Sequence, residues 1–190
     1  MRIVGGSLGG RVVHAPHGAA TRPTSEKVRE AIFSILARSL GELTTGDHVL
    51  DLFAGSGAVG IEALSRGAGH ATFIDAAKPA LAAVRRNLTD LGVADRATIL
   101  AGDSIALAAR HRPTTPYRLV FVDPPYRSDL AERAVLALPV EHLAPDVTIV
   151  IEHDRRNRPP DALGSLLRTD ERRYGDTLVS FYSPLRPASV

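Results

Sequence analysis

From residue 47 onward, short apolar runs alternate with helix-like stretches. Residues 48–53 precede 58–66, 71–74 precede 79–91, 97–100 precede 104–110, 119–122 precede 130–138, and 147–151 come last. Runs this short and this uniformly apolar read as strands buried on both faces, and a helix after each supplies the crossover that parallel pairing needs. The pattern predicts a doubly wound α/β fold with a mostly parallel sheet. The tail changes rhythm: residues 167–174 and 177–182 flank Gly175-Asp176 and read as an antiparallel hairpin at the sheet edge.

The first forty residues lie outside this alternation. Arg2-Ile3-Val4 and Arg11-Val12-Val13 flank Gly9-Gly10, which predicts a hairpin. Thr24 is the expected N-cap of an amphipathic helix over 25–40, with Val28, Ile32, Ile35 and Leu36 on its apolar stripe and Gly41 as its stop. The expected organisation is a small extension, 1–40, ahead of one catalytic-sized domain, 41–190.

Charge follows the same division. Residues 1–40 carry +4, residues 41–150 carry −3 and residues 151–190 carry +1. A basic segment beside a mildly acidic body suits a polyanion contact next to an enzyme core, although short basic segments are also commonly just solvated. The chain has no cysteine, which excludes disulfides and thiolate metal sites. No apolar run approaches the roughly 20 residues of a membrane helix, and Met1-Arg2-Ile3-Val4-Gly5-Gly6 has no signal-like apolar stretch. The expectation is a cytoplasmic protein without a membrane or metal partner, and nothing calls for an obligate dimer, so a monomer is expected.

In an open parallel sheet, ligands bind beyond the carboxyl ends of the strands. The first such end reads Asp51-Leu52-Phe53-Ala54-Gly55-Ser56-Gly57, with Gly60 completing G-x-G-x-x-G. The glycines admit close approach of backbone to a ligand. Asp51 at the strand end would repel a dinucleotide pyrophosphate but favours the ammonium and sulfonium of S-adenosylmethionine. Asp75, 24 residues after Asp51, stands where an acid accepts from ribose hydroxyls. Gly102-Asp103 follows the third strand, where Asp103 suits an adenine amine or an ordinary helix N-cap, or both.

The fourth end is Asp123-Pro124-Pro125-Tyr126. Two prolines rigidify the backbone and remove two N–H donors, leaving carbonyls to accept. Acceptors from Asp123 and the Pro124 carbonyl would hold both N–H bonds of a planar amine and aim its lone pair at a methyl donor. The Tyr126 ring offers a stacking surface for a base. The reading is methyl transfer to an exocyclic amine of a nucleic-acid base, with DNA adenine N6 or a protein glutamine as alternative acceptors and a hydride-transferring NAD enzyme as the competitor that the literal glycine pattern permits.

Asp-Leu-Phe-Ala-Gly-Ser-Gly followed by Asp-Pro-Pro-Tyr resembles the class I methyltransferases that act on amino groups, which have a Rossmann-like sheet. Arg2-Ile3-Val4-Gly5-Gly6, Gly10-Arg11, Thr21-Arg22-Pro23-Thr24, Val28-Arg29-Glu30-Ala31-Ile32-Phe33 and Tyr174-Gly175-Asp176-Thr177 narrow the resemblance to the RsmD family over nearly the whole chain. The resemblance implies methylation of the N2 amine of a specific guanine in 16S ribosomal RNA, presented on the small subunit or an assembly intermediate, with S-adenosylmethionine as donor. Carried across by position, Asp51, Phe53, Ala54, Gly55, Ser56, Gly57, Asp75, Gly102, Asp103 and Asp123 would line the cofactor. Asp123, Pro124, Pro125 and Tyr126 would form the reaction centre, and Arg11, Arg22, Thr24, Lys27 and Arg29 would face RNA. The family usually has Glu where Asp75 stands.

Overall fold

The computed structural model describes residues 1–16, 25–125 and 129–185. The alternating segment forms β1 (His48–Leu52), α2 (Ala58–Ser65), β2 (His70–Asp75), α3 (Lys78–Leu91), β3 (Ala97–Ala101), α4 (Ser104–Arg110), β4 (Tyr117–Val122), α5 (Leu130–Leu136) and β5 (Leu143–His153). Ahead of it lies α1 (Glu26–Ser39); after it come β6 (Ala162–Leu163), β7 (Leu166–Tyr174) and β8 (Thr177–Pro184). All eight strands form one sheet in the order β3-β2-β1-β4-β5-β8-β7-β6. The pairings among β1 to β5 are parallel, whereas β8 is antiparallel to β5 and to β7. This is the expected doubly wound sheet with its antiparallel C-terminal strands.

Side-chain alternation along the strands separates two apolar layers. On one face Leu50, Leu52, Val120, Val122, Ile149 and Ile151 pack against α5 and Ala108 of α4. On the other, Val49, Leu119, Phe121 and Val150 meet Ile32, Phe33, Leu36 and Leu40 of the α1 region, while Ala71 and Phe73 meet α2 and α3. Pro79 sits in the first turn of α3, and Gly92 caps its end in the left-handed conformation.

The described residues of the first forty, 1–16 and 25–40, are built into these layers. Ile3 and Val13 share the apolar cluster of α2, β2 and α3. The expected hairpin pairing occurs, with Arg2 bridged to Val12 and Val13 N–H donating to the Met1 carbonyl. Its reversal, however, is a short 3-10 turn at Gly6–Leu8 rather than a tight turn at Gly9-Gly10. That turn lies flat on α2: a Cβ on Gly6 would come within 2.0 Å of the Ser65 carbonyl oxygen. The cap of α1 is also displaced by one residue. Ser25 accepts from the Val28 N–H, and Thr24 lies outside the described residues.

Arg29 corrects a sequence expectation. Its side chain does not face RNA; it is 0% exposed, with Nε donating to Glu62 of α2 at 3.3 Å and a terminal nitrogen donating to the Arg2 carbonyl. Glu62, also 0% exposed, accepts as well from Val4 N–H and Gly5 N–H at 2.8 Å each and from Arg66 at 2.8 Å. A basic residue on an amphipathic helix reads as solvated when its buried partner is far off in sequence. Here the pair ties α1, α2 and the N-terminal strand together.

Candidate active site

The carboxyl ends of β1, β2, β3, β4 and β5 open into a cavity of about 990 Å³, large enough for a nucleoside-sized ligand and part of an acceptor. Carboxylates from all five strand ends line it: Asp51, Asp75, Asp103, Asp123 and Glu152. No Lys or Arg lines it among the described residues. Its walls include apolar side chains from α1 (Ile32), β4 (Phe121) and β5 (Val150).

Register explains why three of the acids meet. Asp51 is aligned with Phe121, and Val122 with Ile151. Asp123 and Glu152 therefore follow side by side at the ends of neighbouring parallel strands, and the two-residue period puts both on the face of Asp51 and Phe121. Asp51 is 4% exposed, and its Oδ2 accepts from the Gly60 N–H at 2.9 Å. Burial pushes its carboxyl up to about 7, against that hydrogen bond and helped by the charge of Asp75. Burial, then the charges of Glu152 and Asp51, raise Asp123 well above the ordinary carboxylate range. Burial and mutual repulsion favour the protonated forms of these acids in the free protein, and a cation entering the cavity would favour their ionised forms.

The glycine loop is held from both sides. Gly55 N–H donates to Asp75 Oδ2 at 2.9 Å, while Asp75 Oδ1 accepts from Ala77 N–H at 2.8 Å. Asn87, fully buried in α3, donates through Nδ2 to the carbonyls of Ser56 and His14 and accepts from the His14 N–H. Phe53 takes a left-handed φ of 62° where β1 turns into the loop. Gly60 is required by packing: a Cβ there would lie 2.4 Å from the Phe73 ring and 3.1 Å from Asp51 Oδ2. The third glycine thus lets α2 close on the sheet and donate to the acid.

Most residues named from the sequence come together here. Asp51, Phe53, Ala54, Gly55, Ser56, Asp75, Asp103, Asp123, Pro124 and Pro125 all line the cavity. Asp103 is the N-cap of α4, accepting from Ala106 N–H at 2.7 Å. Gly57 caps α2 at a φ of 75°, and Gly102 N–H donates to the Asp75 carbonyl. Tyr126 and Arg22 lie outside the described residues. Arg11 and Lys27 are exposed; Arg11 donates to the Asp90 carbonyl at 3.1 Å. Sequence reasoning missed Glu152 and Asn87. Glu152 carries the same signature as Asp51 and Asp123, an acid ending an apolar strand, but β5 runs two residues past its expected end at 151. The cross-chain role of Asn87 leaves no local pattern.

A family model described as Conserved hypothetical protein 95 matches residues 1–183. The chain is 41% identical over 185 residues to the Bacillus subtilis protein named "Putative rRNA methyltransferase YlbH", covering 96% of this chain and 98% of that one. It is 35% identical over 161 residues to the Escherichia coli "Ribosomal RNA small subunit methyltransferase D", covering 84% and 78%. Among solved structures, the Escherichia coli protein described as "Putative methyltransferase yhhF" superposes with a TM-score of 0.80 at 33% identity over 97% of each chain. The fold is that of the class I methyltransferases, and the chain belongs to the Conserved hypothetical protein 95 family, the RsmD family that its N-terminal and Asp-Pro-Pro-Tyr motifs resemble.

Proposed function

We propose that the protein transfers a methyl group from S-adenosylmethionine to the exocyclic N2 amine of a guanine in 16S ribosomal RNA of the small subunit. The carrying observation is the cavity at the strand ends, lined by five carboxylates and, among the described residues, by no basic side chain. Among the described side chains, a dinucleotide pyrophosphate would meet carboxylates of like charge and no cation there. The residues present fit a cationic methyl donor. Asp51 and the glycine loop would hold its charged amino-acid portion, Asp75 its ribose, and Asp103 its adenine amine through the carboxylate oxygen that does not cap α4. When bound, this donor supplies an activated methyl group on a sulfonium, so no metal is needed. Relatives named as small-subunit ribosomal RNA methyltransferases support RNA as the acceptor.

The rest falls to the chain itself. Asp123 and the Pro124 carbonyl accept the two N–H bonds of the amine, which fixes its plane and directs the nitrogen lone pair. Positioning of this kind is a large share of catalysis when the leaving group is already good. As the nitrogen is alkylated, one of its N–H bonds becomes acidic. The raised proton affinity of Asp123 suits it to take that proton. Arg11 and Lys27, exposed near the N-terminal segment, together with Arg22, would neutralise phosphates. The proposal is tested with labelled S-adenosylmethionine and either naked 16S RNA or small subunits from cells lacking the enzyme. Label on guanine N2 is the expected result; no label on that atom in any substrate would overturn it.

A further inference from the structure

We propose that Glu152 is the residue that selects guanine, by accepting the N1–H of the base whose N2 amine Asp123 holds. The inference rests on the guanine-N2 reading above and adds a specificity residue to it.

Three observations place Glu152 in that role. It stands one residue beyond the Val122–Ile151 pair, so it is the direct neighbour of Asp123 across two parallel strands. It is 9% exposed and lines the cavity. Its charge also helps to raise Asp123 above the ordinary carboxylate range. A single acid beside the two proline carbonyl positions suffices to hold an amine. A second carboxylate alongside it places another acceptor next to the position of that amine. On its pairing edge guanine carries an N1–H beside its N2 amine, so two adjacent donors face outward together. Adenine presents an N1 lone pair beside its N6 amine, and an ionised carboxylate facing that lone pair would leave two acceptors opposed. The same pair of acids that binds guanine therefore disfavours adenine, which is discrimination by opposed acceptors rather than by size.

The test compares wild type with E152Q on reconstituted small-subunit particles. The guanine that wild type labels is either retained or replaced by 2-aminopurine, which keeps the C2 amine but has a lone pair at N1. Wild type is expected to methylate guanine roughly 100-fold or more faster than 2-aminopurine. Glutamine can donate to the N1 lone pair, so E152Q should methylate guanine at least about 10-fold more slowly, while its preference for guanine over 2-aminopurine collapses toward parity. Both proteins lose the same contact to O6, so the change in ratio between them isolates N1. Unchanged affinity for S-adenosylhomocysteine in calorimetry would show that E152Q is folded around its cofactor site. An E152Q variant with the wild-type ratio would overturn the assignment. A wild type that does not discriminate between the two bases would also overturn it, whatever the variant does. Failure of the underlying reading looks different: wild type would then label no guanine N2 at all.

Discussion

Asp51 and Asp123 are costly residues for the folded protein, and their cost is measurable. The folded value of Asp51 is about 7 against an ordinary value of 3.8. The native state therefore keeps a proton that the unfolded chain has released. Its contribution to stability is greatest below the unfolded value, declines as pH rises between the two, and levels off above about 7. Replacement by Asn should flatten that part of a stability-versus-pH curve measured by urea unfolding. A cation in the cavity reverses the balance, because it favours the ionised acids. Donor binding should release protons near neutral pH and tighten as pH rises through 7. Calorimetry in two buffers of different ionisation enthalpy reads the release directly; proton uptake would contradict it. These two acids were legible in the sequence because each stands at the carboxyl end of an apolar strand, Asp51 one residue before the end of β1 and Asp123 just after β4, where a buried strand has few other reasons to carry a carboxylate.

At the scale of elements, the Arg29–Glu62 pair decides how α1 sits. Breaking a buried ion pair from one side typically costs about 3–5 kcal/mol when the other charge is left unpaired, and Glu62 keeps Arg66 and two backbone donors. R29A should therefore cost less than the top of that range, while still lowering thermal stability and loosening the N-terminal segment that shares Glu62. K27A, on an exposed position of the same helix, should leave stability within about 0.5 kcal/mol. The contrast checks that α1 is anchored by its buried arginine and not by general basicity. This was the part of the fold least legible beforehand. The strands and helices of the alternating body follow from period alone, and all of them occur within a few residues of expectation. The docking of residues 1–16 and 25–40 depends on Glu62, which has no local signature, and on the close contact of Gly6 with α2.

For the whole molecule, the arrangement separates two tasks. The carboxyl ends of the parallel strands gather acids around one cavity, while the N-terminal segment carries a positive balance. RNA affinity should fall steeply with salt, and each lost phosphate contact should lower the slope of log K against log salt by about 0.9 or somewhat less. R11A and K27A should each do so without changing donor affinity. An unchanged slope in both would move the RNA contact elsewhere. Among the described residues no helix is long and apolar enough to cross a membrane. The proposed guanine acceptor rests on resemblance, since Asp-Pro-Pro suits an amine and says nothing of the ring that bears it. The place proposed for Glu152 beside Asp123 comes only with the β4–β5 register.

On the proposed reading, Asp123 holds the acceptor amine beside a bound cationic donor. The most direct test is single-turnover methyl transfer to small subunits by D123A at saturating donor. The expected rate is at least about 100-fold below wild type with S-adenosylhomocysteine affinity retained. Transfer at the full wild-type rate would contradict it.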